Sequence, residues 1–98
     1  MDIKFLEFRE GKNWVRGNVN NGEYTFSSKL FDQGSIFGID DGRVSKLIIF
    51  KGERQQKGLG NVFVFYDRGW DIEPQTKEEQ NIYEHVLEFL ENAPKNRF

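Results

Sequence analysis

Apolar and polar residues alternate along most of this chain, then recur at helical spacing near its C-terminal end. Ile3 to Phe8 alternates loosely and predicts a short first strand, followed by a turn at Gly11-Lys12-Asn13. Trp14 to Val19 predicts a second strand, with Val15 and Val19 on one face and Trp14 and Arg16 on the other. Asn21-Gly22 follows, a pair that tolerates the positive φ of a type I′ turn, so Trp14–Asn20 and Glu23–Leu30 are expected to form a hairpin. In its second arm Tyr24, Phe26, Ser28 and Leu30 share the expected core face, opposed by Thr25, Ser27 and Lys29.

Phe31-Asp32-Gln33-Gly34-Ser35 breaks the alternation, and Ile36 to Ile39 reads as a brief strand. Asp40-Asp41-Gly42 predicts a second hairpin-type turn centred on Asp41-Gly42. The strongest strand pattern is Arg43 to Lys51, nearly continuous in apolar content and therefore expected to be central. The polar, glycine-rich run 52–60 predicts an exposed, mobile hairpin loop, and Asn61 to Tyr66 a strand antiparallel to Val44–Phe50.

The connector 67–75 then leads to a helix over 76–92. Thr76-Lys77-Glu78-Glu79 fits a capping box. Ile82, Tyr83, Val86, Phe89 and Leu90 mark the apolar stripe of an amphipathic helix of about four turns. Pro94 ends the helical pattern, and 93–98 reads as a loose tail. The expected fold is α+β: an antiparallel sheet of about four to six strands built from hairpins, with the C-terminal helix packed on one face. The 98 residues suffice for a single domain. If the other face of the sheet is open, its aromatics invite a partner or a homodimer.

Composition narrows the function classes. Ten Phe and two Trp supply a core from few residues. A net charge of −2 argues against non-specific nucleic-acid binding, which needs a basic footprint. A basic cluster of Arg43, Lys46, Lys51, Arg54 and Lys57 around Phe50 is diluted by Glu53 and the acidic helix, and reads as a solvated face. Without cysteine there are no disulfides, thiolate metal sites or cysteine nucleophiles. That composition, the lack of a signal-peptide pattern and the lack of a membrane-length apolar run point to a cytoplasmic protein.

Catalytic patterns are sparse. The one histidine, His85, sits at the edge of the helix stripe and reads as a boundary residue. No serine sits in a Gly-x-Ser-x-Gly elbow, and Gly58-Leu59-Gly60 lacks the features of a phosphate cradle. Asp40-Asp41-Gly42 offers too few oxygens at calcium-loop spacing, so no metal and no cofactor is expected. The densest chemistry lies in the stretch Tyr66 to Pro74, at the strand-to-helix junction. Arg68 is a planar fork suited to carboxylate or phosphate, and Trp70 and Tyr66 offer stacking faces. Asp67 and Asp71 are the two carboxylates that could serve as acid or base. Each of these residues also has an architectural reading: Trp70 as a plug between sheet and helix, Arg68 as the partner of Asp71 or Glu73, Asp71 as a turn cap. Tyr66, Asp67, Arg68, Trp70, Asp71 and Arg43 are the candidate binding residues.

Phe37-Gly38-Ile39, Gly42-Arg43-Val44-Ser45-Lys46-Leu47 and Tyr66-Asp67-Arg68-Gly69-Trp70-Asp71 together resemble an uncharacterised family of small proteins from Gram-positive bacteria and their phages. Trp14 to Val19 is similar to that family's opening strand. The resemblance covers roughly Trp14 to Asn92 and leaves Ile3–Asn13 as an N-terminal addition. It implies a phage or mobile-element setting and no particular activity. The resulting expectation is a small non-enzymatic protein that engages a host protein. The alternatives are sequestration of an anionic small molecule such as a nucleotide, through Arg68, Arg43 and Trp70, and an acid–base enzyme using Asp67 or Asp71.

Overall fold

The fold is seen in a computed structural model, which describes residues 1–9 and 13–95. Six strands follow one another as an antiparallel meander: β1 (Ile3–Arg9), β2 (Trp14–Val19), β3 (Tyr24–Leu30), β4 (Val44–Lys51), β5 (Val62–Asp67) and β6 (Trp70–Ile72). Sheet order equals chain order, so every strand lies beside its sequence neighbour. One helix, α1 (Lys77–Glu91), closes the chain and packs on one face. This is the expected α+β architecture. β4 lies between β3 and β5, and its apolar run Leu47–Phe50 suits a strand flanked on both sides.

Alternation sets the two faces. Val15 and Val19 of β2, Tyr24, Phe26 and Leu30 of β3, Leu47 and Ile49 of β4, and Val64 and Tyr66 of β5 are buried in one core. Ile82, Tyr83, Val86 and Leu90 of α1 close it from above. Gly17, between Val15 and Val19, cannot be larger: a Cβ there would lie 2.4 Å from the Lys4 carbonyl oxygen and from the Phe26 ring. Phe5 of β1 then reaches over it to Phe26 and Phe89, with ring centroids 6.4 and 4.8 Å away.

Several local expectations change. At the first hairpin Val19 pairs with Tyr24, so four residues intervene, and positive φ extends over Asn20, Asn21 and Gly22, starting one position before the expected Asn21-Gly22 pair. The second turn shows the same offset, with positive φ at Asp40 and Asp41. Asn and Asp tolerate that region through their short polar side chains; Gly22 continues it at φ 108°, whereas Gly42, at φ −89°, serves a close approach instead. A Cβ on Gly42 would meet the Glu91 carboxylate at 2.4 Å. Ile36 to Ile39 forms no strand. It belongs to the long connection 31–43, which is pinned by Tyr66 Oη donating to the Phe37 carbonyl at 3.0 Å and by the Ser35 N–H donating to the Gly42 carbonyl. The predicted turn at Gly11-Lys12-Asn13 lies mostly outside the described residues.

The connector 67–75 is in part a hairpin. Trp70 pairs with Tyr66 and Ile72 with Phe65, giving β6, while β5 itself runs on to Asp67. Arg68, at φ 56°, makes the turn, and the Gly69 carbonyl accepts from the Asp67 N–H. Thr76 caps α1 by accepting from the Glu79 N–H at 3.0 Å. The Glu79 carboxylate reaches back to the Gln75 N–H, not to that of Thr76 as a strict capping box requires. The start of the expected loose tail is docked: Ala93 is buried, and its carbonyl accepts from Arg43. Residues 96–98 lie outside the described part. The loop 52–60 is exposed as expected, but Asn61 bridges it by donating to the carbonyls of Lys51 and Arg54.

Candidate functional site

The face of the sheet away from α1 carries a cross-strand row at its β3–β4–β5 end. Register places Trp14 beside Lys29, Lys29 beside Lys46, and Lys46 beside Asp67. The Lys46 ammonium lies 5.6 Å from the Trp14 ring centroid and 3.5 Å from the Asp67 carboxylate. Two lysines at one register position repel each other when nothing anionic is near. Asp67 relieves this at Lys46, and Trp14 offers it a π-face.

The connection 31–43 folds over the end of this row. Together they enclose an open cleft of about 620 Å³, whose lining includes Lys29, Lys46, Asp67, Arg68, Phe31 and Phe37. That volume lies within the range of small-molecule sites, about 300–1,000 Å³. Ser35, Ser45, Asn13, Gln33 and Asp32 contribute further polar edges. Arg68 stands at the rim. Its left-handed backbone is fixed by its N–H donating to the Ser45 carbonyl at 3.0 Å, and its guanidinium lies 5.9 Å from the Phe37 ring centroid. It is exposed, and among the described residues it makes no ion pair.

The six expected binding residues divide. Asp67 and Arg68 line the cleft. Tyr66 is buried on the core side and holds the loop through Phe37. Trp70 is 38% exposed and wedges edge-on between Tyr66 and Tyr83, at centroid distances of 5.3 and 5.4 Å, so it joins β6 to the helix without lining the cleft. Asp71 is exposed on β6, and no hydrogen bond links it to Asp67 among the described residues. Arg43 is only 8% exposed and is set apart: it donates to the carbonyls of Phe31, Glu91 and Ala93 at 2.6–2.8 Å. His85 is exposed on α1, with Nδ1 2.8 Å from the Asn81 carbonyl oxygen.

Sequence reasoning passed over Lys29, Phe31 and Phe37. The available signal was two aromatics within a polar, glycine-containing connection, exposed here at 37% and 50%. Lys29 shows its relevance only through its pairing with Lys46, a tertiary fact. Among the described residues no group of three or more His, Asp or Glu is placed to hold a metal. None of the described helices is long and apolar enough to cross a membrane.

Residues 13–91 match the model of a domain of unknown function, DUF7678. The matched stretch is close to the span, Trp14 to Asn92, over which the sequence resembled an uncharacterised family. No curated protein and no solved structure matches the chain.

Proposed function

The chain belongs to the DUF7678 family of domains of unknown function, and on that premise we propose that it is a small non-enzymatic binding domain whose ligand carries an anionic group held in the cleft by Lys29, Lys46 and Arg68. The observation that carries this reading is the presentation of Arg68. A non-glycine residue in the left-handed region is uncommon, and here it presents, at the rim of a cleft lined by two lysines, a guanidinium that makes no ion pair among the described residues. Phe31 and Phe37 add apolar surface, so the ligand combines an anionic group with a flat or apolar part, as a nucleotide does.

Thermal-shift and calorimetric titration with nucleotides and with inorganic phosphate tests this. A ligand at a hundred times its dissociation constant stabilises the fold by about 2.7 kcal/mol. Losing a charge-assisted hydrogen bond costs about 1.5–3 kcal/mol, so Arg68→Ala weakens binding by roughly 10- to 100-fold while the exposed site leaves folding intact. No shift with any anion, or equal binding by Arg68→Ala, overturns the proposal.

A second reading, a protein partner, is favoured by the open sheet face. Trp14 and Arg16 stand there beside Ile48 and Phe65, all half-buried. Trp and Arg are the residues most enriched at binding hot spots. The phage or mobile-element setting and a host-protein target belong to this reading. Capture of one defined partner by the native chain and not by Trp14→Ala supports it; equal capture by both counts against it.

A further inference from the structure

β1 is the outermost strand on its side of the sheet, with β2 as its neighbour. An outer strand presents a row of backbone N–H and C=O groups that templates pairing with another chain, and natural proteins usually shorten or blunt such edges. β1 is seven residues long and contains no proline. It exposes Leu6 at 50% and Phe8 at 43%.

A register shift between Phe5 and Glu7 leaves Leu6 as the extra residue of a β-bulge. Pairing shows the consequence for the two faces. Ile3, Phe5 and Phe8 stand opposite Val19, Gly17 and Val15, on the core side. Lys4, Glu7 and Arg9 stand opposite Asn18, Arg16 and Trp14, on the open side. The bulge thus moves the alternation by one position halfway along the strand.

Two copies of a strand that meet antiparallel about a two-fold axis normal to the sheet keep their faces, so residues opposite each other must share a face. In β1 the bulge allows this when the axis passes between Phe5 and Leu6. Ile3 then faces Phe8, Lys4 faces Glu7, and Asp2 faces Arg9, each pair occurring twice by symmetry. Apolar meets apolar and each cation meets an anion. Sliding the second copy one residue sets core-side residues against open-side ones, and sliding it two residues either way sets Asp2 against Glu7 or Lys4 against Arg9, both like-charge pairs. The strand therefore complements itself in one register and opposes the adjacent ones.

We propose that the chain associates with a second copy of itself through β1, forming an isologous antiparallel pair in which the sheet runs on across both copies. The partner this edge fits is the same edge. The exposed Arg9–Glu7 pair within the strand, at 3.3 Å, lies on the open side, and the dimer exchanges it for pairs with the second copy.

Sedimentation over a range of protein concentrations provides the measurement, with circular dichroism to show that each variant stays folded. The native chain dimerises. Lys4→Glu and Glu7→Lys each place like charges opposite one another twice per dimer, and each raises the dissociation constant by about tenfold or more. The double variant Lys4→Glu/Glu7→Lys restores opposite charges and returns the native dimer. A native chain that stays monomeric throughout, a dimer indifferent to the single substitutions, or a double variant that does not recover overturns the proposal.

Discussion

The Arg43 guanidinium donates to three backbone carbonyls drawn from two distant segments: Phe31 after β3, and Glu91 and Ala93 at the end of α1. In return the Glu91 carboxylate accepts from the N–H groups of Arg43 and Val44. Helix C-termini leave carbonyls unsatisfied, and a planar fork with several donors is suited to collect them. Arg43→Met should therefore cost about 3 kcal/mol, since buried acceptors are left without donors. Arg43→Lys should recover only part, because an ammonium cannot reproduce the fork. Urea unfolding measures both, and an Arg43→Met midpoint equal to that of the native chain would contradict the clamp. Nothing local in the sequence distinguishes Arg43 from Arg68. Each is an arginine next to a glycine and close to a strand end. Their roles separate only through tertiary partners some 48 residues away in the chain for Arg43, and through a left-handed backbone for Arg68.

At the scale of elements, the meander was legible because register follows from period-two alternation, and the helix because its apolar positions recur every three to four residues. β6 was not. Three residues directly after a tight turn at Arg68-Gly69 carry too little alternation to stand out, and only pairing with Phe65 and Tyr66 defines them as a strand. The cleft was half legible: the stretch Tyr66 to Pro74 yielded Asp67 and Arg68, while its other wall comes from a connection whose order depends on Tyr66 and Arg43. Two tyrosines fasten α1 to the sheet. Tyr24 of β3 donates to the Glu78 carboxylate in the first helical turn, and this hydrogen bond, with burial, pushes its pKa up to about 12. Burial, followed by the charge of Asp40, pushes Tyr83 of α1 up to about 12 as well. Both lie above the ordinary tyrosine value of about 10, so the folded state holds these protons more tightly than the unfolded one. The stability they contribute is complete below pH of about 10 and is lost as pH rises toward about 12. Urea unfolding over that window, followed alongside tyrosinate absorbance, checks this. In Glu78→Gln the Tyr24 titration should move back toward the ordinary value while that of Tyr83 stays. Ordinary titration of both tyrosines in the native chain would refute the account.

Across the whole molecule, charge is separated in a way that the net value of −2 hides. Glu78, Glu84 and Glu88 lie exposed on the helix layer, whereas Lys4, Arg9, Arg16, Lys29 and Lys46 outnumber Glu7 and Asp67 on the opposite sheet face. A composition average cannot show this, because it needs the fold to assign each charge to a layer. The family match raises a related question, since β1 precedes residues 13–91 and yet is woven into the core. Phe5 packs on Phe26 and Phe89, and Ile3 packs against the same cluster. The backbone of Asp2 also accepts from the Asn20 N–H at 2.7 Å. Strands β2 to β6 nevertheless hold most of the buried residues and pair with one another without β1. A fragment spanning 13–98 should therefore still fold cooperatively, but with about 3 kcal/mol less stability, the order expected for two large apolar side chains that are each only partly buried. Its urea dependence should also be shallower, because less surface is exposed on unfolding. Measured at dilution, where self-association does not contribute, an unchanged midpoint would mean that β1 merely decorates the domain. Loss of any cooperative transition would mean that β1 is part of its minimal core.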